Sequence, residues 1–189
     1  ELGITRAEID AIAAESHRRA AAATESGALT KEIAPIELAT RKGPMVVDRD
    51  EGIRPDTTLE TLGKLRPAFR PDGILTAGNA SQISDGAAAL VVAGEEAVKA
   101  HGLKPIARLL AGTWAAGAPW RFAEAPTPGI RKLLGRLKMT TGDVDLWENN
   151  EAFAVNSVLF ERDLGVGQDL LNVNGGAVAL GHPIGCSGA

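Results

Sequence analysis

The residues best suited to chemistry lie in two short stretches. One is the closing run Gly175–Ala189, where five glycines and one proline surround a single histidine, His182. Glycine is entropically costly and is kept where the backbone turns sharply or approaches a ligand closely, so this density around a titratable ring points to a built site. His182 lies between Gly181 and Pro183, its backbone fixed on one side and unobstructed on the other, an arrangement that aims an imidazole. A histidine that merely bonds a carbonyl in a tight turn is the competing account, and the glycine content weighs against it. The other two histidines, His17 and His101, fall near helix ends and read as solvated or structural. The second stretch is Asn149-Asn150-Glu151, at the joint between an expected strand and an expected helix, where α/β proteins present side chains to ligands. Spacing alone leaves a tie here, because an asparagine N-cap and a glutamate favouring the helix dipole account for the same residues.

The elements that must position these residues follow from local signals. Thr5 and Glu8 form a T-x-x-E capping box that starts a helix at Arg6, running to about Glu25 with Gly27 as its stop. Ile33–Leu38 and Met45–Val47 suggest short edge strands. Thr57 and Glu60 repeat the capping spacing, and the two prolines and glycine of Arg66–Gly73 demand a loop. Ala87–Ala93, apolar throughout and preceded by a polar loop of small residues, reads as a fully buried central strand. Further strands are expected over Pro105–Gly112, Asp143–Glu148 and Leu170–Val173. Helices are expected over Glu95–His101, closed by Gly102, from Pro128 with Thr127 as cap, and over Ala152–Leu164, ended by Gly165. This alternation from Ala87 onward predicts a layered α/β fold with helices covering a buried sheet, and a boundary near Ser84 separates it from the preceding residues.

Composition narrows the function classes. A net charge of −4 argues against a nucleic-acid partner, since that affinity needs a basic face. One cysteine excludes an intrachain disulfide framework and fits a reducing compartment. No apolar run approaches the roughly 18 to 20 residues of a membrane-spanning helix, so no membrane insertion is expected.

Asn150-Glu151-Ala152-Phe153-Ala154 and Gly175–Ala189 together closely resemble the two signature blocks of thiolases, the acetyl-CoA acetyltransferase/3-ketoacyl-CoA thiolase family. Leu65–Phe69 and Thr76–Ser81 resemble the coenzyme A loop region of that family, so the resemblance covers essentially the whole chain. It implies the layered αβαβα fold of that family in incomplete form, with part of an α+β loop domain. By the same resemblance, residues 1–83 are the later part of the loop domain, 84–102 the end of the N-terminal core domain, and 103–189 the start of the C-terminal core domain. The two family segments that carry reactive cysteines are absent, so this chain is read as a central portion that is inactive alone.

The resemblance implies thiolytic cleavage of a 3-ketoacyl-CoA, or the reverse condensation, through a cysteine acyl-enzyme. His182 would lower the pKa of the nucleophile and donate to the thioester oxygen, and Asn150 would hold the water that completes the oxyanion hole. Phe153 would line the acyl pocket; Phe122, with Trp120, would shape chain-length preference. Arg54 would contact the CoA nucleotide and Ser81 the pantetheine arm, with a surface arginine and a loop-capping serine as the plain alternatives. Cys186 is set aside as a small buried side chain. Gln82 departs from the glycine usual after that serine, as does the segment Gly117–Pro126 from the family's glycine-rich text. Coenzyme A and acyl-CoA enter as substrates with no permanently bound cofactor, and a homodimer or homotetramer in the cytoplasm, or in an organellar matrix, is implied. A non-catalytic CoA-binding or oligomerisation module stands as the alternative from another class.

Overall fold

The computed structural model describes residues 2–189. Helix α1 (Arg6–Glu25) starts as its spacing predicts: the Glu8 N–H donates to the Thr5 hydroxyl at 3.3 Å, and the Thr5 N–H donates to the Glu8 carboxylate at 2.7 Å. Beyond its last turn the chain reverses at Gly27. α1 buries Ile9, Asp10, Ala13, Ser16, His17, Ala20 and Ala23, and the small residues among them allow close approach by other backbone.

The two edge strands pair as an antiparallel hairpin, β1 (Ile36–Thr40) with β2 (Gly43–Val47), Ile36 opposite Val47. Pro35 stays just outside β1, where its missing N–H costs no ladder bond. The second capping box forms one residue later than expected: Thr58 caps α2 (Leu59–Gly63), exchanging bonds with Thr61. This start presents Leu62 to the core. Helix α3 (Glu95–Ala100) closes at Gly102 as predicted. In α4 (Pro126–Leu137), Pro126 rather than Pro128 takes the first position, because a 3-10 turn over Pro119–Glu124 feeds straight into it; Thr127, the expected cap, is buried in the first turn.

Helix α5 (Ala154–Leu164) begins two residues late and neither asparagine caps it. Residues 79–81 occupy the preceding backbone: the Ser81 N–H donates to Ala152 O at 3.0 Å and the Ala154 N–H to Asn79 O at 2.9 Å. The cap is Phe153, whose N–H donates to the Asn156 side chain at 3.0 Å. The last helix, α6 (Ala177–Leu180), is a single turn inside the glycine-rich run.

α1 packs on α2, α5 and α6. Ile9, Ala13, Leu62, Ala154, Val158 and Val178 form the main core; Phe160, Leu164, Val166 and Leu171 form a second beside Trp147. Each fully buried aliphatic side chain here contributes on the order of 1.5–3 kcal/mol. A polar line ties the helices to the loop after α2: Arg6 pairs with Asp10 at 2.6 Å, and Asp10 accepts from the Asn79 amide at 2.8 Å.

The sheet expectation is not met. Ala87–Ala93 forms no strand and is exposed, Val91 at 95%. Pro105–Gly112 is likewise without ladder, and Ile106, Leu109 and Leu110 are exposed. Asp143–Glu148 and Leu170–Val173 reduce to one parallel bridge, Trp147 to Leu171. A strand exists only through its neighbours' backbone groups, and no described residue offers the two longer runs a ladder. Among the described residues no helix is long and apolar enough to cross a membrane.

Candidate active site

His182 and Asn150 stand side by side. His182 Nε2 lies 3.2 Å from the Asn150 amide nitrogen, and its Nδ1 lies 2.8 Å from the Ser187 hydroxyl. The Ser187 hydroxyl donates to the Pro183 carbonyl at 3.1 Å, so it accepts the Nδ1 proton. Nε2 is left with a lone pair that accepts an Asn150 N–H. A ring nitrogen in this state can take a proton from a thiol; once protonated, Nε2 and the Asn150 amide both donate to an oxygen placed between them.

Local backbone explains how each side chain arrives there. Gly181 adopts φ +96°, a conformation open to glycine, which swings the chain off the end of α6. Asn150 is held on a tight three-residue turn in which the Ala152 N–H donates to Asn150 O at 2.9 Å. The next residue, Glu151, does not serve the α5 dipole as expected but is buried where α1, α5 and α6 meet. Its carboxylate accepts from Ser16 at 2.7 Å and from Ser157 at 3.1 Å, while Ser16 accepts the Gly176 N–H at 2.9 Å. Burial pushes the Glu151 carboxyl above its ordinary pKa, opposed by the bonds from Ser16, Asn172 and Ser157. Glu151 thereby fastens the Asn150 turn to the run that leads to His182.

Of the remaining candidates, Phe153 and Phe122 do come together, ring centroids 5.8 Å apart in an edge contact. Phe69 joins from the loop after α2, 6.1 Å from Phe153. The Ser81 side chain is half-buried one residue from the Ala80 to Phe153 bridge. Arg54 has an exposed side chain and an anchored backbone, its N–H donating to His17 Nδ1 at 3.1 Å. His17 is therefore not a solvated residue: it is buried, and burial followed by the Arg54 charge lowers its pKa. Cys186 is half-buried against Gly86, where an added Cβ would come within 3.1 Å of its sulfur. A surface hollow of about 400 Å³ lies by Arg18, Arg19 and Asn174 and touches none of the six candidate residues.

Sequence reasoning missed Ser187 and, though it singled out the stretches that hold Phe69 and Glu151, missed what those two side chains touch. A hydroxyl five residues after His182 inside one turn was the available signal for Ser187; the partners of the other two lie far along the chain.

Two family models divide nearly the whole sequence: "Thiolase, N-terminal domain" matches residues 1–96 and "Thiolase, C-terminal domain" matches residues 103–189. The chain belongs to the thiolase family. An acetyl-CoA acetyltransferase of Synechocystis is 61% identical over all of this chain and 48% of its own length. A beta-ketoadipyl-CoA thiolase of Pseudomonas putida is 50% identical over 98% of this chain and 47% of its own. Among solved structures, the Bacillus anthracis acetyl-CoA acetyltransferase superposes with a TM-score of 0.92 at 45% identity, over 98% of this chain and 47% of that one. The human mitochondrial 3-ketoacyl-CoA thiolase in complex with CoA superposes at 0.91 with 44% identity, over 98% and 46%. This chain thus spans about half the length of the thiolase relatives it matches, and its fold is an incomplete α/β thiolase fold.

Proposed function

We propose that this chain supplies the CoA-binding and oxyanion-stabilising part of an acyl-CoA acyltransferase of the thiolase type. The enzyme cleaves 3-ketoacyl-CoA by thiolysis, or condenses acetyl-CoA in reverse, through an acyl group carried on a cysteine outside these residues. The observation that carries this reading is the His182 and Asn150 pair, 3.2 Å apart, in a chain of this family. A neutral Nε2 accepts the proton of the attacking thiol; the resulting imidazolium, with the water that Asn150 would hold, then faces the carbonyl oxygen on which negative charge collects. Phe153, Phe122 and Phe69 supply an aromatic wall for the acyl chain, and Arg54 and Ser81 receive the nucleotide and pantetheine portions of CoA.

The same proposal divides the chain at 83 and 102, into loop domain, end of the N-terminal core and start of the C-terminal core. It takes CoA and acyl-CoA as substrates with no permanently bound cofactor. It includes a homodimer or homotetramer in the cytoplasm or an organellar matrix.

The test is made in a full-length enzyme carrying this chain. His182→Ala lowers kcat by at least about 100-fold with a much smaller change in the KM for CoA, and Asn150→Ala lowers it by about 10- to 100-fold. Weakened CoA binding with unchanged turnover in His182→Ala overturns the assignment. The 189-residue chain alone is expected to show no thiolysis of acetoacetyl-CoA.

A further inference from the structure

Gln82 stands where the resemblance leads one to expect glycine, and its bonds reach two separate segments, Gly52 and the run Val178–His182. Its amide nitrogen donates to Gly52 O at 2.8 Å, to Ala179 O at 3.0 Å and to Val178 O at 3.3 Å. Its own backbone carbonyl accepts the His182 N–H at 3.2 Å and the Ser84 hydroxyl at 3.2 Å. The side chain lies flat on Gly52, where an added Cβ would fall 2.5 Å from its Oε1 and 2.6 Å from its Nε2. One residue therefore holds both sides of the Gly181 turn, the carbonyls before it and the His182 N–H after it.

The residues just before Gln82 hold the other half of the pair. Ala80 bridges Phe153, and the Ser81 N–H donates to Ala152 O, two residues beyond Asn150. Residues 80–82 thus form a strut with the Asn150 turn fastened at one end and the His182 turn at the other. We infer that Gln82 is a positioning residue that holds His182 in register with Asn150, acting through the Gly52, Val178 and Ala179 carbonyls, which share the two N–H groups of its side-chain amide. The inference rests on the function proposed above. Glutamate at this position has the same shape but no donor, and it sets a carboxylate against three carbonyl oxygens, which like-signed partial charges disfavour. Near-attack geometry is sensitive to displacements of about 1 Å, worth about 100-fold in rate.

The test compares Gln82→Glu, Gln82→Gly and His182→Ala in the full-length enzyme. Gln82→Glu is expected to lower kcat by about 10- to 100-fold while the KM for CoA stays within about 3-fold. Gln82→Gly, which removes the donor without adding charge, lowers kcat by a smaller factor and carries the test if the glutamate variant does not fold. The ring 15N resonances of His182 shift in the folded variant, a change that simple loss of stability does not produce. Unchanged kcat and unchanged His182 resonances in a folded variant overturn the inference, as does a change confined to the melting temperature or to KM. Full turnover in His182→Ala instead overturns the proposed function, and the resonance shift still reports on Gln82.

Discussion

Ala154–Phe160 and Ala87–Ala93 are both seven-residue runs rich in apolar side chains, and they meet opposite ends. In the first, Val158 is 6% exposed and Phe160 2%; in the second, Leu90 is 69% and Val91 95% exposed. The difference lies in how each conformation satisfies its backbone. A helix closes its hydrogen bonds within itself and then needs only a face to pack on, which α1 and α4 supply to α5. A strand needs neighbouring strands before it exists, so an apolar run destined for a sheet stays bare when no ladder is offered. The packed half, α1, α5, α6 and the loop over 74–82, is also the half that brings His182 to Asn150. Site geometry in this chain therefore depends on helix packing and on loop hydrogen bonds, and not on its sheet.

Matched substitutions in the two regions test that division. The largest contrast is expected for glycine to alanine. Gly175 sits at φ +91°, and an added Cβ would lie 2.6 Å from Ala20 Cβ and 2.7 Å from Ala20 N, part of the α1 backbone. Gly175→Ala should cost about 3 kcal/mol or more in urea unfolding, or prevent folding, because a helix backbone cannot step aside. Gly112, in the bare stretch, has nothing within 4 Å of that position, and Gly112→Ala should stay within about 0.5 kcal/mol. The next contrast deletes the same two methyl groups from each region. Val178, 1% exposed in the main core, should lose about 2 kcal/mol on change to alanine, and Val91 about 0.5 kcal/mol or less. Equal losses at Val178 and Val91 would show that the run around Val91 is packed in solution, and the division would fall.

What could be read from the sequence follows the same line. The Thr5 to Glu8 box, the hairpin and the closures at Gly27, Gly102 and Gly165 were legible because each depends on residues a few positions apart. The α5 start was misjudged by two residues because its competitor, the 79–81 segment, lies some seventy positions earlier and leaves no local trace. Glu151 looked like a first-turn carboxylate, yet its partner Ser16 is 135 residues away. For the candidate site, glycine density singled out His182. Its pairing with Asn150, 32 residues earlier, was suggested by the family resemblance and not by spacing. The central strand was misplaced for a different reason: its apolar pattern describes a full sheet, and these residues offer it no partner.

The smallest effect concerns a histidine of the packed half. His17, buried in the packed half, accepts the Arg54 N–H, and burial together with the Arg54 charge holds its pKa below the ordinary 6.5, with Asp56 opposing. Above pH 6.5 the buried neutral ring contributes its full share of stability. As pH falls below 6.5 the unfolded chain gains a proton before the folded one, so stability drops, and the contribution is lost once pH passes the depressed native value. Protonation at Nδ1 also removes the acceptor of the Arg54 N–H, a bond worth about 1 kcal/mol. The carboxyls of Glu8 and Glu15, both held at about 2 by bonds to Thr5 and to Arg18 respectively, act only at lower pH, from 4.5 downward. Burial raises the pKa of Glu148 and of Glu151, which act with the opposite sign, so the difference between unaltered protein and variant isolates His17. Measured by urea unfolding, the stability of the unaltered protein relative to His17→Gln should therefore fall between pH 7 and pH 5. A difference that stays constant or grows as pH falls would mean that the ring is accessible to solvent, and that the Arg54 segment is not anchored to α1.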